Sequence, residues 1–171
     1  LAKVALRPVH SPRSARRVRD SIDRYRPHVA LVENVFPMHS PSVIRVLQGA
    51  GVPVAAGVRS YRMWCAASSM FRDGAACREC VGSFVNFPAI RHGCYQNSPA
   101  RTVPMAASLR LHRSTFRAID TFLAVTDHVR DELVAAGLAA NRIVVRPNFV
   151  PDPGVPHPVA PGAGFLFAGR L

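Results

Sequence analysis

The chain has 171 residues, 49% of them hydrophobic, enough for one domain with a real core and too few for two of ordinary size. Its 22 Lys+Arg stand against 10 Asp+Glu, a formal charge of +12, and Lys3 is the sole lysine. Such an excess asks for nucleic acid, an anionic membrane face or a phosphorylated small substrate, unless the arginines merely solvate the surface; the absence of aromatic interleaving, finger and RNP motifs argues against nucleic acid.

In chain order, Ser11-Pro12 offers a cap and a first-turn proline, and Ala15, Val18, Ile22 and Tyr25 recur at helical spacing until Pro27. The apolar run 29–32 then reads as a buried strand, bounded by Glu33-Asn34. Ser40-Pro41 starts a second helix that stops at Gly49 and Gly51, and 52–58 is a second buried strand. Residues 60–103 hold all four cysteines and many turn residues, and read as an irregular excursion. Beyond it the pattern predicts a helix from Pro104 to Ile119, a strand over 122–125, a helix capped by Thr126 and ended by Gly137, and a strand over 143–145. The order α-β-α-β-excursion-α-β-α-β is the rhythm of a Rossmann-like α/β fold, a parallel sheet flanked by helices. The organisation expected is a domain over 1–149, a Pro/Gly-rich linker over 150–164, and the first strand of a further domain over 165–171.

No apolar run reaches the roughly 18 to 20 residues that cross a bilayer, and Leu1 to His10 does not read as a signal peptide. The expected setting is the cytoplasm, with at most peripheral attachment to the inner face of the plasma membrane. The first residue is not methionine, which suggests a piece of a longer protein.

Ligands of open α/β sheets sit beyond the carboxyl ends of the strands, which directs attention to Glu33-Asn34, to 59–62, to Thr126-Asp127-His128 and to 146–148. Arg59 and Arg62 could grip a phosphate or sugar acid by bidentate bonds, or could pair with Glu33 or Asp73. Thr126 and Asp127 could equally serve only as helix cap and first-turn acid. The cysteines fall as Cys65-x11-Cys77-x2-Cys80-x13-Cys94, a knuckle with two flanking thiols that could hold a structural zinc; buried free thiols and a disulfide or redox role are the other readings. Walker, dinucleotide, zinc-protease and nucleophile-elbow motifs are all missing.

Several stretches together, "RPHVALVENVFPMHSPSVIRVLQGAGVPVAAGVRSYRMWC", "RDGAACREC", "RHGCYQNS", "DTFLAVTDHVRDELVAAGLAANRIVVRPNFVPDPG" and "FLFAGRL", resemble the amino-terminal half of glycosyltransferase family 4, in a cysteine-bearing subgroup. The resemblance implies the acceptor-side half of a two-domain GT-B fold and a retaining transferase. Such an enzyme moves a sugar from a nucleotide-sugar donor to a saccharide or lipid-linked acceptor in surface polysaccharide or glycolipid assembly, and needs no cofactor for catalysis. It implies further that Gly169 and Arg170 face the donor diphosphate, and that Asn34, Tyr61, Arg62, Thr126 and Asn148 belong to the substrate cleft. Arg59 takes the place of the family's histidine, and an always-charged guanidinium cannot act as a near-neutral proton carrier. The first strand and the donor-binding domain of the family have no counterpart in these residues, so the piece alone is expected to be inactive. The rival expectation is a noncatalytic Rossmann-like module docking on anionic lipid or a partner protein.

Overall fold

The computed structural model describes residues 7–83, 85–152 and 154. Helix α1, Pro12–Tyr25, opens with proline in its first turn and ends at Arg26, whose φ of 44° lets its N–H reach the Ile22 carbonyl at 2.8 Å. Its apolar stripe of Ala15, Val18 and Ile22 turns inward, and Arg13, Arg16, Arg17, Arg19 and Arg24 are left exposed. Then come β1 (Ala30–Val32), α2 (Ser42–Gly49) and β2 (Val54–Val58). The excursion carries a hairpin of β3 (Phe71–Arg72) and β4 (Ala75–Ala76), followed by the short helix α3 (Phe87–Arg91). The chain continues through α4 (Pro99–Leu111), α5 (Arg113–Arg117), β5 (Thr121–Ala124), α6 (Asp127–Ala135), a 3-10 turn (Ala140–Arg142) and β6 (Ile143–Val145).

Four strands form one parallel sheet in the order β1-β2-β5-β6, with Val32, Ala56, Phe122 and Ile143 in one row and Val58, Ala124 and Val145 in the row two residues on, which points to the same face. Asp120 fixes the start of β5 against β2: its carboxylate accepts the Val54 N–H at 2.8 Å and its own N–H returns to the Val54 carbonyl at 3.1 Å. Every crossover steps the same way across the sheet, and right-handed crossovers therefore place α2, α4, α5 and α6 on one face. That face holds the core, where Phe122, Ala56 and Val58 meet Ile44, Met105, Phe116 and Leu133. On the opposite face Leu31 and Val144 are exposed. Among the described residues the sheet is thus covered on one side.

The elements agree with the sequence reading except between 60 and 119. Helix α4 begins at Pro99, five residues before Pro104, because Ser98 accepts the Arg101 N–H at 3.4 Å and a proline at the first position needs no hydrogen bond. Fully buried Thr102 secures that start, its hydroxyl accepting the Tyr95 N–H at 2.9 Å and donating to the Ser98 carbonyl at 2.8 Å. Pro104 is accommodated inside the helix. The single helix expected up to Ile119 breaks at His112, a buried residue whose Nε2 lies 2.8 Å from the Val9 carbonyl oxygen. Gly169, Arg170 and the strand expected over 165–171 lie outside the described residues, as does most of the expected linker.

Candidate functional site

A cavity of about 460 Å³ opens where β1 and β2 end, walled by Glu33, Asn34, Val35 and Phe36 on one side and by Gly57, Arg59, Ser60 and Arg62 on the other. Parallel strands place all of their carboxyl ends along one edge, so residues far apart in sequence share this opening. Arg59 donates from Nε to Glu33 Oε2 at 3.0 Å and from Nη1 to Asn148 Oδ1, beyond β6, at 2.5 Å. Its guanidinium therefore joins a side chain that follows β1 to one that follows β6. The Arg59 and Glu33 side chains are 59% and 45% exposed. At that exposure the ion pair adds at most about 1 kcal/mol to stability, and its main effect is to orient the arginine.

Gly57 explains how Glu33 comes so near. A β-carbon on Gly57 would sit 2.6 Å from both oxygens of the Glu33 carboxylate, in space that the acid already fills. Glycine inside a strand commonly marks such a close approach. Asn34 is half committed, since its Oδ1 accepts the Phe36 N–H at 3.1 Å and its NH2 group is left for another partner. The apolar floor includes Phe36 and Phe116, whose rings lie 6.3 Å apart.

The other residues singled out by sequence divide between cleft and scaffold. Arg62 lines the cavity, but its guanidinium turns back into the excursion, donating to the Ala66 carbonyl and, at 3.0 Å, to Ser68 Oγ, and lying over the Tyr95 ring. Burial lowers its pKa from the ordinary value, although arginine stays charged. Tyr61 is not part of the cavity wall; its ring packs at 6.3 Å from Trp64, and burial followed by the Glu132 charge raises its pKa. Thr126 caps α6 by accepting the Val129 N–H at 3.2 Å, and His128 in the same turn is exposed. His92 stands 3.6 Å from Glu79, and Asp73 pairs with Arg72 at 3.0 Å, leaving Arg59 as the arginine that meets Glu33. Gly57 and Ser60 were not singled out for a role by sequence, though a glycine within an apolar strand was a visible signal.

All four cysteines, Cys65, Cys77, Cys80 and Cys94, surround a second and much smaller cavity of about 20 Å³, and none forms a disulfide. Arg78, inside the Cys77-x2-Cys80 knuckle, reaches out to Glu132 on α6 and so ties the excursion to the sheet domain. Among the described residues no helix is long and apolar enough to cross a membrane.

The cleft thus offers a guanidinium, a carboxylate, an amide NH2 and the Ser60 hydroxyl around an apolar floor. Paired donors and acceptors of this kind suit the adjacent hydroxyls of a polyol as well as an anionic group. Residues 2–148 match the family described as the glycosyl transferase 4-like domain. No curated protein and no solved structure matches the chain.

Proposed function

The chain belongs to the glycosyl transferase 4-like domain family, and from that premise we propose that the cavity at the ends of β1 and β2 is the acceptor side of a sugar-transfer site. The observation that carries this reading is the Glu33–Arg59–Asn148 chain of hydrogen bonds along the edge where ligands of such sheets bind. In this reading a saccharide or lipid-linked acceptor lays its hydroxyls against Arg59, Glu33 and the Asn34 amide. A nucleotide-sugar donor meets it from a second domain, whose first strand and turn would be 165–171, with Gly169 and Arg170 toward the diphosphate.

Transfer with retention requires positive charge at the departing diphosphate and exclusion of water from the reacting sugar. Arg59 stands where a proton-carrying histidine is common in the family, and its fixed charge assigns it to binding and electrostatic stabilisation. Tyr61, Arg62 and Thr126 support the walls: Arg62 braces the excursion and Thr126 holds the start of α6. The arginines exposed along α1 fit attachment to an anionic cytoplasmic membrane face, where lipid-linked acceptors of surface polysaccharides and glycolipids are held.

The test is transfer by the protein expressed from its complete reading frame, using a panel of nucleotide sugars with saccharide and lipid-linked acceptors. Arg59→Ala should lower kcat/KM by about tenfold or more, the loss expected for one charged hydrogen bond to substrate. Transfer that is unchanged in Arg59→Ala would overturn the assignment. No transfer with any pair, together with vesicle binding through α1, would favour a noncatalytic docking module instead.

A further inference from the structure

The geometry points to a structural zinc site in the excursion, formed by Cys65, Cys77, Cys80 and Cys94 around the 20 Å³ cavity that they share. These residues come from three places: the turn after β2, the Cys77-x2-Cys80 knuckle that follows β4, and the turn after α3. Chain segments so scattered bring four thiols round one void only by a specific fold. A void of about 10 to 15 Å³ admits one water-sized body, so this one has room for a single ion. Zinc takes four thiolates tetrahedrally, and a two-residue knuckle with two outlying cysteines is a ligand pattern of such sites.

Competing donors nearby are already engaged. Glu79, within the knuckle, binds Arg72 at 2.6 Å, which leaves the four sulfurs as the donors that line the cavity. Four thiolates around Zn2+ carry a net charge of −2, and binding releases the four thiol protons. Arg72 lines the same cavity while it pairs with Glu79, so its guanidinium stands where it can offset part of that charge.

As they stand, no three His, Cys, Asp or Glu side chains among the described residues already meet at one metal position. The thiols ring the cavity and must turn inward to close on an ion. One χ1 step moves a cysteine sulfur by about 3 Å, so closing on an ion calls for a change of rotamer among these thiols.

The excursion also needs such a clamp. Its strands β3 and β4 have two residues each, and besides the hairpin turn at Asp73 and the amide-bearing Asn97, Ser68, Met70 and Gln96 hold φ between 50° and 70°, a region that such residues enter uncommonly. A zinc–sulfur cluster would supply the constraint that a small core cannot. Because Arg62 and Met63 border both this excursion and the large cleft, the metal would hold one wall of the cleft without touching substrate.

The inference does not depend on the proposed sugar transfer, and its test uses no activity. The protein, purified without chelator from zinc-supplemented cells, should contain about one zinc per chain, and Cys77→Ser or Cys80→Ser should lower this below about 0.2. Should those variants fail to fold, the unaltered protein still decides the matter: exchange into cobalt should give the sulfur-to-metal charge-transfer and visible bands of a tetrahedral tetrathiolate site. Metal content below about 0.2 equivalent with no uptake on reconstitution, a disulfide found by mass spectrometry under native alkylation, or full zinc in both serine variants would each overturn the proposal.

Discussion

Gly57→Ala separates the demands of the cleft from those of the fold. The added methyl would stand 2.6 Å from the Glu33 carboxylate oxygens, about 0.8 Å inside the 3.4 Å at which ordinary contact begins. Gly57 lies in β2, and its φ is outside the left-handed region, so alanine suits the backbone there. What must move is therefore the end of a half-exposed, flexible glutamate. Losing its ion pair with Arg59 costs about 0.2 to 1 kcal/mol, and replacing glycine by alanine returns about 0.4 to 1 kcal/mol by restricting the unfolded chain. The variant should remain within about 1 kcal/mol of the parent in denaturant unfolding. Its Arg59 Nε–H, held by Glu33 at 3.0 Å in the parent, should nonetheless lose protection from solvent exchange, as in a Glu33→Ala control. A loss beyond about 2 kcal/mol would show instead that β2 itself cannot take a side chain at this position. An unchanged Arg59 Nε–H signal would refute the displacement of Glu33 directly.

Three further outcomes follow from burial and pairing. Arg78→Ala should cost about 1 to 3 kcal/mol in denaturant unfolding, because the Glu132 side chain is only 7% exposed while its partner is 62% exposed, and Glu132→Gln added to it should recover part of that loss. His112 has its pKa lowered, first by burial and against the pull of the Val9 carbonyl, so it is neutral in the folded state at pH 7. Its contribution is full above the unfolded value of 6.5 and is lost as pH falls from there through the lowered folded value; thermal unfolding between pH 7.5 and 5 should show this slope, and His112→Asn should flatten it. Phe122→Ala, at a fully buried position in β5, should cost about 3 to 5 kcal/mol by calorimetry or denaturant unfolding.

Much of the architecture was legible because its signals are local. Ile143–Val145 and the Thr126 cap of α6 each depend on a few adjacent residues, and the structure has both where the pattern put them. The two prolines of α4 were harder to read. Ser98-Pro99 carries the cap and first-turn proline that Val103-Pro104 lacks, and the helix starts there, with buried Thr102 adding a contact to Tyr95 that sequence spacing does not display. The kink at His112 likewise depends on Val9, 103 residues away.

For the site, the sequence by itself determined that polar residues follow apolar strands at Glu33-Asn34, at Arg59 and at Asn148, and that arginine rather than a titrating group stands at position 59. Only the tertiary structure decided which of them meet. Arg59 finds Glu33 across 26 residues and Asn148 across 89 because parallel pairing brings the ends of β1, β2 and β6 to one edge, and because Gly57 leaves room for a carboxylate between them. The same folding turned Arg62, identical in chemistry to Arg59, back into the excursion, where Ala66, Ser68 and Tyr95 satisfy it. Residue type and order set what each group can do, whereas strand order and side-chain direction set what it is next to, and those depend on pairings that no local run of sequence encodes.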